Sequence, residues 1–251
     1  MRKFKTIVVF TLASLCLNCN ATDSMDVAGT QSAAQLMQKQ GLPLPDGGII
    51  LKPLNQFPHY EELKVSMETD KASIKQYGYI KKSSPEILSL LNFKMGNKKF
   101  SARNLTASAD TGLYQSINDI QMAYRYYGVP VSAMTNALAV APAGTFIQGQ
   151  GWTGAAQTFE KAGIGICTYN ELNARLAHGS VLVAQETATN DVNGKVTQKY
   201  AKGQEGEGFI YGVSWYDDTI YHELECAQPD FSTEAAQAVT NLAIAIDNNS
   251  H

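Results

Sequence analysis

The sequence predicts an α+β protein in which helices pack on a small antiparallel β-meander held by one disulfide. Three observations carry this. After Gly179 the segments SVLVAQETAT, KVTQKY, FIYGVSW and TIYHELEC alternate with the period of strands. The links between them, NDVNG, AKGQEGEG and YDD, are too short for parallel crossovers and demand antiparallel pairing. The last apolar stripe, Ala235, Val239, Leu242 and Ile246, has helical spacing and follows a capping residue at Ser232, so a terminal helix can cover the sheet.

The elements follow in order. MRKFKTIVVFTLASLCLNCNA places Arg2, Lys3 and Lys5 before an apolar run from Thr6 to Leu17 and a C-x-A end at Cys19 and Ala21. This is the pattern of a bacterial signal peptide over residues 1–21, cleaved after Ala21, and the run is too short for a good membrane span. Cys16 and Cys19 raise lipidation. Leu15 and Asn18 stand just before them, where lipoprotein signals carry Gly, Ala or Ser, so a soluble exported chain is expected, periplasmic or secreted, without a transmembrane segment once mature.

A mixed region of helix and loop is expected over 22–112. Within it Thr30 caps a helix through QSAAQLMQKQ, GGIILKPL reads as a brief strand, and Ser84-Pro85-Glu86 opens a helix through EILSLLNF. Residues 52–83 and 94–112 have weak periodicity and receive no assignment. Residues 113–251 are expected to form an α+β domain with a four-stranded sheet and a C-terminal helix. Its first helix is expected from the capping pattern at Ser116, with Ile117, Ile120, Tyr124 and Tyr127 on one face. Asn170 reads as the cap of a second, short helix through ELNARLAH. Val192-Asn193-Gly194 and Asp217-Asp218 mark tight turns.

Charge narrows the partners. Removing the leader's 3 basic residues leaves 17 Lys and Arg against 23 Asp and Glu, a net charge of −6. Such a balance disfavours nucleic acid, whose phosphates require a basic excess. The partner is expected to be a protein, a glycan or a small molecule. Two cysteines remain in the mature chain, Cys167 and Cys226, and an oxidising compartment favours a disulfide between them. The competing use is a hydrolase with Cys167 as nucleophile and His178 or His222 as base.

One motif points elsewhere and fails its context. GQGWTG, residues 149–154, matches G-x-G-x-x-G, and Glu171 stands 20 residues beyond Gly151 where a ribose-binding acid belongs. The strand before it is four residues long, the expected helix AAQTFEKA after it is short, and hairpins follow instead of βαβ units. The motif therefore reads as a glycine-rich turn leading into a helix near Thr153. No zinc spacing, P-loop, G-x-S-x-G or haem-attachment motif is present, so no metal or catalytic residue is assigned. Glu223 and Glu225 fall on one side of a strand and read as a wetted face.

The last candidate is aromatic. Tyr211 to His222, YGVSWYDDTIYH, sets tyrosines and a histidine in adjacent strands, and phenolate and imidazole both ligate haem iron. Tyr216, Tyr221 and His222 are the candidate haem-binding residues. Most of the chain's readings, however, favour a non-catalytic binding protein with no resident cofactor. GWTGAAQTFEKAGIGICTYNEL through YHELECAQPDF resembles uncharacterised exported proteins of intracellular gammaproteobacteria, mainly over residues 150–230. The resemblance implies a secreted or periplasmic role and assigns no site residue.

Overall fold

The computed structural model describes residues 47–83 and 116–249. The leader, the helix capped by Thr30 and the helix opened by Ser84 lie outside the described residues.

The described chain is mostly strand: β1 (Gly48–Lys52), α1 (Tyr60–Tyr77), β2 (Ile80–Lys81), β3 (Asn136–Ile147), β4 (Gly151–Lys161), β5 (Gly165–Asn173), β6 (Ser180–Ala184), β7 (Thr189–Val192), β8 (Lys195–Gln204), β9 (Gly208–Tyr216), β10 (Ile220–Gln228) and α2 (Thr233–Asp247). The small meander expected from the sequence is thus part of an eight-stranded sheet in the order β2-β8-β9-β10-β5-β4-β3, with β7 paired to β8. Two antiparallel units make six of its strands, β3-β4-β5 and β8-β9-β10, and β2 adds in parallel to β8. They join where β5 pairs antiparallel with β10. SVLVA does not enter the meander as expected. It forms β6, which pairs in parallel with β1, Ile49 opposite Val181.

The hairpin signals hold. Asn193 and Gly194 both have positive φ, 48° and 80°, the conformation of a two-residue turn that matches strand twist. The helices expected at AAQTFEKA, from Ser116 and from Asn170 do not hold. AAQTFEKA lies in β4, where Ala155, Gln157 and Phe159 face one side and Ala156, Thr158 and Glu160 the other. Both sides carry small or polar residues, so the strand shows little contrast between faces. ELN ends β5, and the rest turns back, with Asn173 Oδ1 accepting from the Leu176 amide at 2.9 Å. Ser116 does cap, accepting from the Asn118 amide at 3.1 Å, yet the helix is one turn, Ile117–Asp119. Tyr124 and Tyr126 then reach into the sheet to bond the Glu171 carbonyl and the Gln157 side chain. Among the described residues no helix is long and apolar enough to cross a membrane.

The core lies between one face of the sheet and α2. Ser232 Oγ accepts from the Ala235 amide at 3.1 Å and starts the helix. Val239, Leu242, Ala243 and Ile246 then pack with Phe159, Tyr169, Tyr211, Val213, Trp215 and Leu224. Each large side chain so removed from water stabilises the fold by about 1.5–3 kcal/mol before entropy is charged against it. In the same layer Cys167 and Cys226 occupy directly paired positions of β5 and β10, their sulfurs 2.09 Å apart in a disulfide. This face is termed inner, and the opposite face outer.

Candidate functional site

Strand alternation sorts the functional side chains of β10. His222, Leu224 and Cys226 point inward, whereas Tyr221, Glu223 and Glu225 share the outer face. Register supplies their neighbours: Tyr221 lies opposite Tyr216 of β9, Glu223 opposite Ser214 of β9 and Asn170 of β5, and Glu225 opposite Gly212 and Thr168. Tyr200 of β8 completes the group. Its ring lies over Gly212, in the space a Cβ there would fill, and its hydroxyl crosses β9 to donate to Glu225 Oε1. Lys202 Nζ donates to the same oxygen at 3.5 Å.

This outer cluster is half-buried and rich in acceptors. Asn170 Nδ2 donates to Glu223 Oε2 at 3.2 Å, while Asn170 Oδ1 is buried with no partner among the described residues. Tyr216 and Tyr221 stand side by side, ring centroids 5.6 Å apart, and the Tyr216 hydroxyl donates to Gln198 Oε1 at 2.7 Å. Burial, and then the neighbouring Glu225 carboxylate, push Glu223 up to about 7. A carboxyl so placed changes charge near neutral pH.

The inner face carries a second, enclosed network. The Tyr169 hydroxyl lies 2.8 Å from Glu171 Oε2 and 2.7 Å from His222 Nδ1, and all three side chains are fully buried. His222 Nε2 is 3.1 Å from Asp217 Oδ2. Lys195 Nζ bridges Asp217 and Asp247, at 2.5 and 2.7 Å, and Asp247 Oδ1 accepts from Trp215 Nε1 at 2.9 Å. Burial opposes the charge on Asp217, but the bonds from His222 and Lys195 prevail and hold it down at about 2. An ionised Asp217 only accepts, so Nε2 carries a proton. Tyr169 has one proton to give. Either it goes to an ionised Glu171 while Nδ1–H donates to the phenol, or Glu171 keeps its own proton and the phenol donates to Nδ1. Glu171 is raised by burial, with His222 pulling the other way. Only Asp217 and Lys195 reach solvent along this chain of bonds, which ties β5, β8, β9, β10 and α2 together.

The candidate haem residues are divided by the sheet: Tyr216 and Tyr221 share the outer face, and His222 is sealed beneath it. Cys167 is buried with its sulfur bonded to Cys226, so it presents no thiolate, and His178 lies in a turn at φ 52°. GQGWTG is a hairpin. Gly149 turns β3 into β4, Gly151 admits the Gln121 carbonyl where a Cβ would clash, and Trp152 is half-buried against Phe146, centroids 5.5 Å apart. Among the described residues no group of three or more His, Cys, Asp or Glu could hold a metal ion. Sequence reasoning noted Glu223 and Glu225 but missed Asn170 and Tyr200. The Glu-x-Glu spacing was visible, whereas partners on other strands required the register.

Compared with protein-family models, curated proteins and solved structures, the chain matches none.

Proposed function

We propose that this chain is an exported, non-catalytic binding protein that receives a small polar ligand on the outer face of its sheet. One observation carries the reading. Among the described residues Asn170 Oδ1 is a buried acceptor without a donor, set beside Glu223 in a row of polar groups framed by tyrosines. An orphaned acceptor costs about 1–3 kcal/mol, a cost that a ligand's donor removes. Export is supported by the leader pattern, by the resemblance of residues 150–230 to exported proteins, and by the Cys167–Cys226 disulfide, which persists in oxidising compartments.

Native mass spectrometry of protein purified from the exporting host tests the reading. A small molecule retained by the native chain and lost from both Glu223→Gln and Tyr221→Ala supports it; equal retention by both variants overturns it. A second reading, haem or iron capture, draws on the adjacent Tyr216 and Tyr221. A Soret shift with haemin that disappears in Tyr216→Ala and Tyr221→Ala but survives His222→Ala is its expected mark.

A further inference from the structure

We propose that the outer-face site is a receptor for a primary ammonium group on an alkyl chain, a diamine or polyamine, held by Glu223, Glu225 and Asn170 beside Tyr216 and Tyr221. The inference rests on the reading of the outer face given above and names its ligand class.

Hydrogen-bond accounting gives the first argument. Glu223 Oε2 receives Asn170 Nδ2, and Glu225 Oε1 receives Tyr200 and Lys202. The Tyr221 hydroxyl also bonds Glu223; a carboxylate offers about four lone-pair sites, so each keeps acceptor capacity beyond these bonds, and beside them Asn170 Oδ1 is buried with no partner among the described residues. An ammonium group brings three donors and no lone pair to oppose them. A hydroxyl brings one donor and two lone pairs, and an anion brings none of the required donors. A row of acceptors with one orphaned among them therefore matches the donor-only R–NH3+.

Charge gives the second. Among the described residues the titratable groups facing the site are Tyr221, Glu223 and Glu225 on β10, Tyr216 on β9, and Tyr200 and Lys202 on β8; β5 contributes the neutral Asn170 and Thr168. Burial holds Tyr200 and Tyr221 well above their ordinary range, so both stay neutral. Among the described residues two carboxylates then face Lys202. Because burial and Glu225 raise Glu223 to about 7, the site holds a proton below neutral pH, in the place that an added cation would take. Binding exchanges them: the ligand's ammonium enters with its protons, Glu223 releases its own to solvent, and no covalent bond changes. The tyrosine rings add the third argument, since aromatic faces attract ammonium groups and shield the attached methylenes. The site already shows this contact internally, with Lys202 Nζ 5.0 Å from the Tyr200 ring centroid.

The test is calorimetric titration of the whole mature protein with cadaverine and spermidine at pH 6 and pH 8, with tetramethylammonium and methyl glucoside as comparison ligands. Saturable binding of the amines that tightens about tenfold from pH 6 to pH 8 is expected, since ionising a carboxyl near pH 7 over that span changes its charged fraction by that factor. Proton release should appear as a heat that depends on the buffer. Glu223→Gln should weaken amine binding at least tenfold at pH 8 and abolish its pH dependence, whereas Glu205→Gln, which removes an exposed acid elsewhere, should change neither. Circular dichroism of each variant verifies that it folds. Tetramethylammonium binding as tightly as the amines, or amine binding unchanged in Glu223→Gln, overturns the proposal. Glucoside binding that Glu223→Gln weakens, with no amine binding, overturns the amine class and leaves the outer face as a ligand site. If none of the ligands binds and native protein carries no small molecule, both readings fall.

Discussion

Gly212 and Tyr200 show how single positions shape the outer face. With no side chain at 212, the Tyr200 ring lies flat across β9 and delivers its hydroxyl to a strand two places away. Glu223 beside it has a measurable signature in stability. Its folded value is raised, from 4.5 to about 7, so the folded state retains a proton the unfolded chain has lost. Stability should therefore fall as pH rises from about 4.5 to about 7 and then level off, and Glu223→Gln should remove that slope in urea titrations across the range. On the inner face, His222 is enclosed between Tyr169 and Asp217. Truncation leaves buried partners unpaired, so His222→Ala should cost about 3 kcal/mol in chemical denaturation. None of this was legible residue by residue. Tyr216, Tyr221 and His222 are neighbours in sequence patterning, but adjacent residues of a strand face opposite ways, and the register decides which groups meet.

At the scale of elements, α2 repays its sequence signals most directly. Ser232→Ala should lower stability by about 1 kcal/mol through loss of the cap, and Ile246→Ala by about 3 kcal/mol through the cavity left under the helix, both read from denaturant midpoints. The helix, its buried stripe, strands β8 to β10 and the Asn193-Gly194 turn were visible because large apolar residues alternate there with polar ones. The miss at β4 has a definite cause. Gly151-Trp-Thr-Gly-Ala-Ala-Gln-Thr-Phe is buried on both faces by small residues, which leaves no amphipathic period to read. α1 escaped for the opposite reason: none of its 18 residues is buried, so its sequence carries little hydrophobic stripe.

At the scale of the molecule, the sheet is two local meanders joined along one seam. The disulfide closes a sequence separation of 59 residues across that seam. In the chain-entropy model such a loop contributes about 4 kcal/mol, so reduction with dithiothreitol should lower the denaturation midpoint correspondingly while the native chain in oxidant is unaffected. The outer-face site has the same dependence, because Asn170 comes from one side of the seam and Glu223 and Glu225 from the other. The covalent link across this seam also bears on the order of assembly. Hairpins within each meander close short loops and form early, whereas β5 must find β10 over a long separation, the slow kind of contact in a folding chain. A slip of one residue in that search would turn His222 outward and drive Glu223 into the apolar inner core, and it would also carry Cys226 out of line with Cys167. Oxidation thus acts as a proofreading step: the bond rewards the register in which its two sulfurs meet, and a chain reaching an oxidising space with its seam misaligned stays open to correction until they do.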